Sequence, residues 1–424
     1  MNAFSQPYIS KSKYLDGLKC IKLLWYDYNR KQDISKPDAA QQFIFDQGKK
    51  VGELAQTLFP GGILLKRLPS PTEHTVQSTK ALQERKPLFE AGFIYKQAYA
   101  LADILHPVDP GVWDLIEVKS STSVKDEYIF DVAFQKYVYQ NAGIKINRCY
   151  IMYVDNTYVR KGPIVPEELL TKEDVTDQVN AYALAVEQHL QQMLKIIAQQ
   201  DIPKITIGSQ CNNPYACPLS DLCWDFLPSD HVFMLNRGKP KAEQLMALGI
   251  LKLKDIPAEF KLSENQRIQV TAHTNGNPYI DKEGIKDFLE KLRYPMYLLD
   301  FETIAPAIPV YDLTSPYKAI PFQYSLHVVS KEGAEPQHFS YLAPGDVDPR
   351  IDILRRLQEQ LGNTGSIIAY NASFEVNALK GASEAYPKYK GWVKEIEKRI
   401  VDLIEPFRGF SYYHPQQEGS ASLK

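Results

Sequence analysis

Two apolar segments flanking the turn from Pro107 to Gly111 constrain the fold of this chain most strongly. ALADIL precedes the turn and VWDLIEVKS follows it. Alternating apolar and polar residues on both sides of a turn that contains proline and glycine are typical of a β-hairpin. Because side chains two residues apart share one face of a strand, Glu117 and Lys119 point the same way, and Asp103 on the partner arm can face them. The pattern predicts two carboxylates and an ammonium group on neighbouring strands.

These three groups suit phosphodiester chemistry. Asp103 and Glu117 offer hard oxygen ligands for Mg²⁺ or Mn²⁺, with coordination positions left for a phosphate oxygen and a water. The Lys119 ammonium can orient that water or stabilise the charge that develops on the phosphate. The competing interpretation is a solvated strand edge with a Glu117–Lys119 salt bridge, because alternating charges are common on exposed faces.

Helical patterns surround the hairpin. Apolar residues recur at near-helical spacing in residues 12–60, and 173–200 reads as a long amphipathic helix. A further helix is predicted from about Val132, with Asp131 as N-cap and Gly143 as its end. Gln135 and Tyr139 lie four apart on that helix, so they share a face that could grip a nucleic-acid strand.

Composition and charge set the outer limits. A chain of 424 residues can form two domains, and its net charge of −2 gives no general attraction to nucleic acid, so binding would need a local basic surface or metal ions. No signal-peptide segment and no run of about 18 apolar residues is present. We therefore expect a cytoplasmic protein without membrane association.

The ordered motifs resemble a known nuclease class. Asp103, Glu117-Val-Lys119 and the Q-x-x-x-Y string of Gln135 and Tyr139 resemble the core of the PD-(D/E)XK (restriction-endonuclease-like) nucleases, in particular the RecB-like exonucleases. The resemblance implies that Asp103 and Glu117 bind metal and that Lys119 is catalytic. It implies that Gln135 and Tyr139 complete the site.

The same class usually adds a histidine or glutamate from an earlier helix. Glu53 in GKKVGELA and Glu90 in LFEAG are the two candidates. We favour Glu53, because its glycine-flanked helix is similar to that of the family.

The cysteines form a second pattern. Five cysteines without an export signal argue against a disulfide framework. Cys211, Cys217 and Cys223 are spaced C-x5-C-x5-C, and Cys20 lies far ahead of them. Four thiolates from distant positions suit a [4Fe–4S] cluster better than zinc, whose sites usually use closer pairs; buried core thiols are the alternative. Cys149, flanked by strand residues, reads as an ordinary core thiol.

This frame resembles that of a group of RecB-like nucleases, which includes AddB-type helicase–nuclease subunits. They carry one cysteine before the nuclease core and three after it, usually as C-x2-C-x5-C, so the first interval here departs from that pattern. The resemblance implies a cluster that fastens the N-terminal helix to the end of the nuclease domain.

A second acidic set follows later in the chain. Asp300 and Glu302 share a face at the end of the strand in YPMYLLDFET, and Glu375 begins a helix after SIIAYN. The set resembles DnaQ-like (RNase H-fold) DEDD exonucleases, in which four acids hold two metal ions, and this implies metal binding by the three residues. The alternative is an acidic strand end plus a glutamate that the helix dipole favours.

This second resemblance is incomplete. Glu375 stands where the family usually has aspartate, and Asp402 resembles a residue that is not a ligand in the family. The printed chain reaches Lys424 before the helix that carries the final acid, so we expect a truncated or catalytically incomplete domain.

The segments together predict an α/β protein of three parts. They are a RecB-like PD-(D/E)XK nuclease with the cysteine frame (1–227), a helical connector (228–293) and an incomplete DnaQ-like, RNase H-like domain (294–424). This pairing resembles a bacterial family in which the two nuclease types are fused. The resemblance implies a metal-dependent DNA nuclease, exonucleolytic on single strands or ends, that serves DNA repair, recombination or defence, with a protein partner in such a complex.

Two alternatives remain open. One is a nucleic-acid-binding scaffold subunit with a structural iron–sulfur cluster and no cleavage of its own. The other is an RNA exonuclease that acts through the second domain alone.

Overall fold

The chain forms two units. The computed structural model describes residues 7–345 and 347–423, so the first six residues of the predicted nuclease domain and Lys424 lie outside the described residues. The first unit contains Met1–Ser220 and Pro306–Tyr317, and the second contains Asp221–Ala305 and Lys318–Lys424. Both mix helices and strands, as predicted. In the described ranges, no helix has the length and apolar character needed to cross a membrane.

A seven-stranded sheet forms the centre of the first unit. Its strands are β1 (Ile9–Ser10), β2 (Ile63–Leu64), β3 (Leu88–Tyr95), β4 (Ala98–Asp109), β5 (Val112–Lys119), β6 (Lys145–Val154) and β7 (Leu170–Asp174). The order is β2-β3-β4-β5-β6-β7, with β1 parallel to β4. The antiparallel pair β4–β5 is the predicted hairpin, and Gly111 adopts the positive φ of 74° that its turn requires.

Helices cover both faces of this sheet. They are α1 (Lys11–Lys19), α2 (Ile21–Asn29), α3 (Ala39–Gln56), α4 (Pro71–Ala81), α5 (Asp126–Asn141), α6 (Pro166–Leu169) and α7 (Thr176–Ile197). Leu105 and Leu115 share a core cluster with α1, α5 and α7, whereas Ile104 and Ile116 share one with α3. Alternation along β5 therefore buries both of its faces, rather than leaving one in solvent.

The boundaries of α5 correct one prediction and confirm another. The helix begins at Asp126 after Lys125, so Asp131 lies inside it and is not its N-cap. Two acidic residues in the first turn, Asp126 and Glu127, favour the earlier start. The helix ends before Gly143, whose φ of 92° makes it the predicted stop. The long helix predicted at 173–200 is confirmed as α7.

The second unit contains a five-stranded sheet in the order β11-β10-β9-β12-β13. The strands of this unit are β8 (Tyr279–Ile280), β9 (Met296–Ile304), β10 (Ile320–Val329), β11 (Gln337–Leu342), β12 (Ser366–Ala369), β13 (Ile400–Asp402) and β14 (Tyr412–Tyr413). Strands β9, β10 and β11 form an antiparallel meander, and β12 and β13 run parallel to β9.

Eight further α-helices follow α7 along the described chain. They are α8 (Ser220–Trp224), α9 (Lys239–Ala247), α10 (Glu264–Asn275), α11 (Lys282–Leu289), α12 (Arg350–Gln360), α13 (Ser373–Ala385), α14 (Lys390–Glu397) and α15 (Glu405–Arg408). Apolar residues of α12, α13 and α14 form one core cluster with β9, β10 and β12.

The predicted connector 228–293 belongs to this second unit. Strand β8 pairs with β14, and the Gln269 side chain hydrogen-bonds the Tyr413 hydroxyl at 3.2 Å. Lys291 forms a salt bridge of 2.9 Å with Glu405. These contacts join residues 228–293 to the C-terminal segment, and the boundaries at 227/228 and 293/294 stay predictions.

Candidate active site

Strands β4 and β5 bring Asp103, Glu117 and Lys119 together, as the hairpin predicted. Asp103 precedes Ile104, the partner of Ile116, and its Oδ2 accepts a hydrogen bond of 2.7 Å from the Val118 amide. Lys119 Nζ donates to Glu117 Oε1 at 2.7 Å. The Glu117 side chain is only 1% exposed. The pair is therefore a buried cluster and not a solvated strand edge.

Helix α5 closes over this cluster with two side chains. Gln135 Nε2 donates to Glu117 Oε2 at 2.7 Å and to Asp131 Oδ1 at 2.9 Å. Asp131 Oδ2 accepts from Lys119 Nζ at 2.6 Å, and its side chain is 1% exposed. The Gln135 Oε1 atom is buried without a hydrogen-bond partner. Gln135 and Asp131 thus fix the orientation of Glu117 and Lys119.

A second lysine enters from α1. Lys11 Nζ donates to the same Glu117 Oε1 atom at 2.7 Å and lies 3.8 Å from Asp131 Oδ2. Sequence reasoning missed this residue, because it lies 106 positions before Glu117 and no local pattern marks it. Asp131 could have been found, since Asp131, Gln135 and Tyr139 repeat every four residues and so form one stripe of a helix.

Burial and charge move the acidic pKa values in opposite directions. Burial, reinforced by repulsion from Glu117, raises the pKa of Asp103 to about 7. The same two causes raise the pKa of Asp131. Burial also acts to raise the pKa of Glu117, but Lys11 and Lys119 outweigh it and lower that pKa. Glu117 is therefore held as a carboxylate, while its acidic neighbours resist ionisation.

The neighbouring carboxylates keep the two lysines cationic. Burial acts to lower the pKa of Lys11 and of Lys119, but the carboxylates of Asp131 and Glu117 outweigh it and raise both values.

Tyr139 has a different position from the one predicted. Its side chain is fully buried, its hydroxyl donates to the Ala91 carbonyl oxygen, and its ring centroid lies 5.1 Å from that of Phe93. Gln135 is fully buried as well. Their shared face is turned to the sheet and buried, and its contact with a nucleic-acid strand stays a prediction.

Of the two additional glutamates, the structure places Glu90 beside the cluster. Glu90 lies on β3 between Phe89 and Ala91, whose partners on β4 flank Asp103. Burial raises its pKa, with a further contribution from Glu117, while Lys11 opposes the change. Its φ of 57° is rare for a non-glycine residue and is the kind of strain often found at functional sites.

Glu53 does not join this cluster in the described contacts. Its side chain is 60% exposed on α3 and lies 3.8 Å from Lys49 of the same helix. The preference for Glu53 over Glu90 stays a prediction, while the sheet register, which the sequence does not reveal, places Glu90 between residues whose partners flank Asp103.

The donors of this cluster fit a hard divalent cation. Asp103, Glu117 and Glu90 offer carboxylate oxygens, which are the ligands that such ions prefer. Across residues 7–345 and 347–423, no group of three or more His, Cys, Asp or Glu side chains is already arranged to hold a metal ion.

Three of the four predicted cluster cysteines lie in the first unit. Burial raises the pKa of Cys217, Cys20 and Cys211 reinforce this, and nearby Lys19 opposes it. The Cys217 amide donates to the Cys211 carbonyl at 2.7 Å. Soft thiol donors with an adjacent ammonium group fit an anionic iron–sulfur cluster. Cys223 lies on α8, and Cys149 is fully buried in the core of β6.

The second acidic set lines a cavity of about 740 Å³ in the second unit. Asp300 and Glu375 lie on its wall, and Glu302 follows on the same exposed face of β9. Burial, with repulsion from Asp300 and Asp402, raises the pKa of Glu375 to about 7, and its Oε2 atom has no hydrogen-bond partner. Asp402 caps a turn by accepting from the Asn371 amide at 2.8 Å.

Comparisons with known proteins cover parts of the chain. A family model described as "Domain of unknown function (DUF2779)" matches residues 297–422. A search of curated proteins gives no match.

Solved structures give partial matches. The crystal structure of an alkaline exonuclease from Laribacter hongkongensis matches with 11% identity and a TM-score of 0.24, covering 44% of this chain and 90% of the exonuclease. The same enzyme in complex with dAMP matches with 14% identity and a TM-score of 0.24, covering 45% and 89%. The function proposed below therefore depends on the geometry of this chain's own site.

Proposed function

We propose that this chain is a metal-dependent DNA nuclease that hydrolyses phosphodiester bonds at the Asp103–Glu117–Lys119 site. The observation that carries the proposal is the buried cluster on β4, β5 and α5, in which Lys119 Nζ contacts both Glu117 and Asp131. Burying several charged groups at one place is costly even when they are paired. Because such clusters are frequent at functional sites, we take this one as catalytic and not structural.

The residues of the chain have distinct tasks in this proposal. Asp103 and Glu117 hold the metal, and Glu90 is a third acidic group within electrostatic reach. Gln135 and Asp131 keep Glu117 and Lys119 in position through the hydrogen bonds described above. The Lys119 ammonium donates to the phosphate oxygens or to the attacking water, where negative charge grows during hydrolysis.

A bound Mg²⁺ or Mn²⁺ would supply the remaining chemistry, by polarising a phosphate oxygen and lowering the pKa of a coordinated water. We assign DNA as substrate, with cleavage from single strands or ends, from the resemblance to RecB-like exonucleases. A protein partner in a repair, recombination or defence complex is part of the same proposal.

The second unit adds a further candidate metal site. We propose that Asp300, Glu302 and Glu375 form a DnaQ-like site in the RNase H-like domain. The unpartnered Oε2 atom of buried Glu375 and the cavity in front of it support this assignment.

Lys119→Ala is expected to reduce nucleotide release from labelled single-stranded DNA with Mn²⁺ by about a hundredfold, because charge on the phosphate loses its nearest ammonium donor. The comparison uses anaerobically purified full-length protein. Lys172→Ala, at an exposed lysine on β7, serves as the matched control and should release nucleotides at the wild-type rate.

Two outcomes contradict this proposal. Activity that survives Lys119→Ala but is lost in Asp300→Asn would move cleavage to the second unit. A wild-type protein that binds DNA and does not cleave it would favour the scaffold alternative.

The cysteine frame has its own expected result. We propose that Cys20, Cys211 and Cys217, with Cys223 assigned from the sequence, hold a [4Fe–4S] cluster. Anaerobically purified protein should contain about four iron and four sulfide per chain. Cys217→Ala should lose most of this iron, whereas Cys149→Ala should retain it. Stoichiometric zinc in place of iron, or unchanged iron in Cys217→Ala, would contradict the assignment.

A further inference from the structure

Two ammonium groups share one carboxylate oxygen at the candidate active site. Lys11 Nζ and Lys119 Nζ each lie 2.7 Å from Glu117 Oε1, and Glu117 Oε2 is occupied by Gln135. Two like charges at a single oxygen repel each other. Glu117 Oε1 therefore has one more ammonium partner than its ion pair with Lys119 on the same strand requires.

The two lysines differ in how firmly they are held. Lys119 has a second short contact, 2.6 Å to Asp131 Oδ2, whereas Lys11 lies 3.8 Å from the same atom. Lys119 also shares strand β5 with Glu117, while Lys11 reaches in from the first residue of α1. The Lys11 and Lys119 side chains are similarly exposed, at 25% and 20%, so the difference between them lies in their contacts. If one ammonium group leaves Glu117, Lys11 gives up fewer short contacts than Lys119 would.

We infer that Lys11 is an exchangeable cation: its ammonium group and a divalent metal ion take alternative places at Glu117, and the displaced ammonium group then binds the phosphate of the substrate. This inference depends on the proposed function, because it takes Glu117 as a metal ligand. It adds a substrate-binding residue that the motifs do not contain.

Simple electrostatics requires the exchange. A divalent ion bound to Glu117 would stand about 2 Å from a carboxylate oxygen. An ammonium group at hydrogen-bond distance from that same oxygen would be strongly repelled. A phosphodiester brings the negative charge that a released lysine can pair with, and a lysine ammonium is a common phosphate-binding group. Repulsion from the metal ion and attraction to the phosphate therefore both move the Lys11 ammonium group away from Glu117.

The test compares Lys11→Met with Lys13→Met in the full-length protein. Lys13 also lies on α1, is 24% exposed and pairs with Asp27 at 3.0 Å, away from the cluster, so it is a matched control. Calorimetric titration of metal-stripped protein should show Mn²⁺ binding about tenfold tighter in Lys11→Met, since its competitor is gone. Lys13→Met should bind Mn²⁺ like the wild type.

The second readout is DNA affinity with Ca²⁺ in place of Mn²⁺, measured on a labelled single strand. Lys11→Met should bind about tenfold more weakly, because one phosphate contact is lost. Lys11→Arg keeps the positive charge and should stay near wild type in both measurements, which separates the exchange from a folding defect. Circular dichroism establishes that each variant is folded.

Each result decides the inference. Mn²⁺ affinity that is unchanged or weaker in Lys11→Met, or DNA affinity that is unchanged, would overturn it. Failure of the proposed function is separate: a wild-type protein that binds Mn²⁺ but does not cleave DNA rejects the nuclease, while the Mn²⁺ titration still decides whether Lys11 competes for Glu117.

Discussion

Asp103→Asn is expected to abolish DNA cleavage while making the protein more stable. Asparagine retains a side-chain oxygen that can accept the Val118 amide hydrogen, so the backbone contact at 2.7 Å survives. It removes the negative charge with which Asp103 would hold a divalent ion. We expect cleavage to fall by about a thousandfold, equivalent to about 4 kcal/mol of transition-state stabilisation.

The gain in stability follows from the raised pKa of Asp103. Burial and repulsion from Glu117 lift it from an ordinary value of 3.8 to about 7, so ionised Asp103 destabilises the folded state. The neutral amide avoids this. The free energy of unfolding should rise by about 1–2 kcal/mol at pH 8, less than the full pKa difference implies because Asp103 is partly exposed.

The upward direction of the Asp103 pKa shift also sets the pH range over which the stability difference develops. A carboxyl group whose pKa is higher in the folded state costs no stability below its unfolded pKa, and its cost grows until the folded pKa is reached. The melting-temperature difference between Asp103→Asn and wild type should therefore be small near about pH 4, increase towards about pH 7, and stay constant above that. Thermal unfolding in the presence of a chelator measures it without metal effects.

Asp114→Asn is the matched control on β5. Asp114 is a buried aspartate that accepts from Asn147 and Arg148, away from the active-site cluster. Its amide variant should retain cleavage. An Asp103→Asn protein that cleaves at the wild-type rate would contradict the metal-ligand role, and one that loses stability at pH 8 would contradict the electrostatic account.

Local patterns predicted the parts of the site that lie on one hairpin. The alternation around Pro107 to Gly111 placed Asp103 beside Glu117 and Lys119, because strand period and turn chemistry are properties of a short segment. The same alternation could not indicate that α5 and α3 cover both faces of β5. Glu117-Val-Lys119 therefore reads equally well as an exposed edge or as a buried cluster until the helices are placed.

The residues that sequence reasoning missed come from distant segments. Lys11 reaches Glu117 across 106 positions, and no periodic signal links the two. The register of β3 on β4 places Glu90 between residues whose partners flank Asp103, and that register depends on the complete sheet. Asp131 could have been predicted, since it precedes Gln135 by one helical turn, but the helix start was predicted too late, at about Val132 and not at Asp126.

Tyr139→Ala is expected to reduce stability more than any other single change considered for the first unit. The side chain is fully buried, its ring packs against Phe93, and its hydroxyl donates to the Ala91 carbonyl. Truncation would leave a cavity and an unpaired carbonyl, so the free energy of unfolding should fall by about 3–5 kcal/mol. Denaturant unfolding, monitored by circular dichroism, measures the loss.

Tyr139→Phe separates a structural role from a catalytic one. The ring remains and only the hydrogen bond to Ala91 is removed, so stability should fall by about 1 kcal/mol. Because the hydroxyl points to a strand carbonyl, cleavage should remain within about threefold of wild type when measured on folded protein. A hundredfold loss of cleavage in Tyr139→Phe at nearly unchanged stability would instead make the hydroxyl part of the catalytic machinery. Gln135 would then be the connection to examine, since it lies one turn away on α5 and holds Glu117 directly.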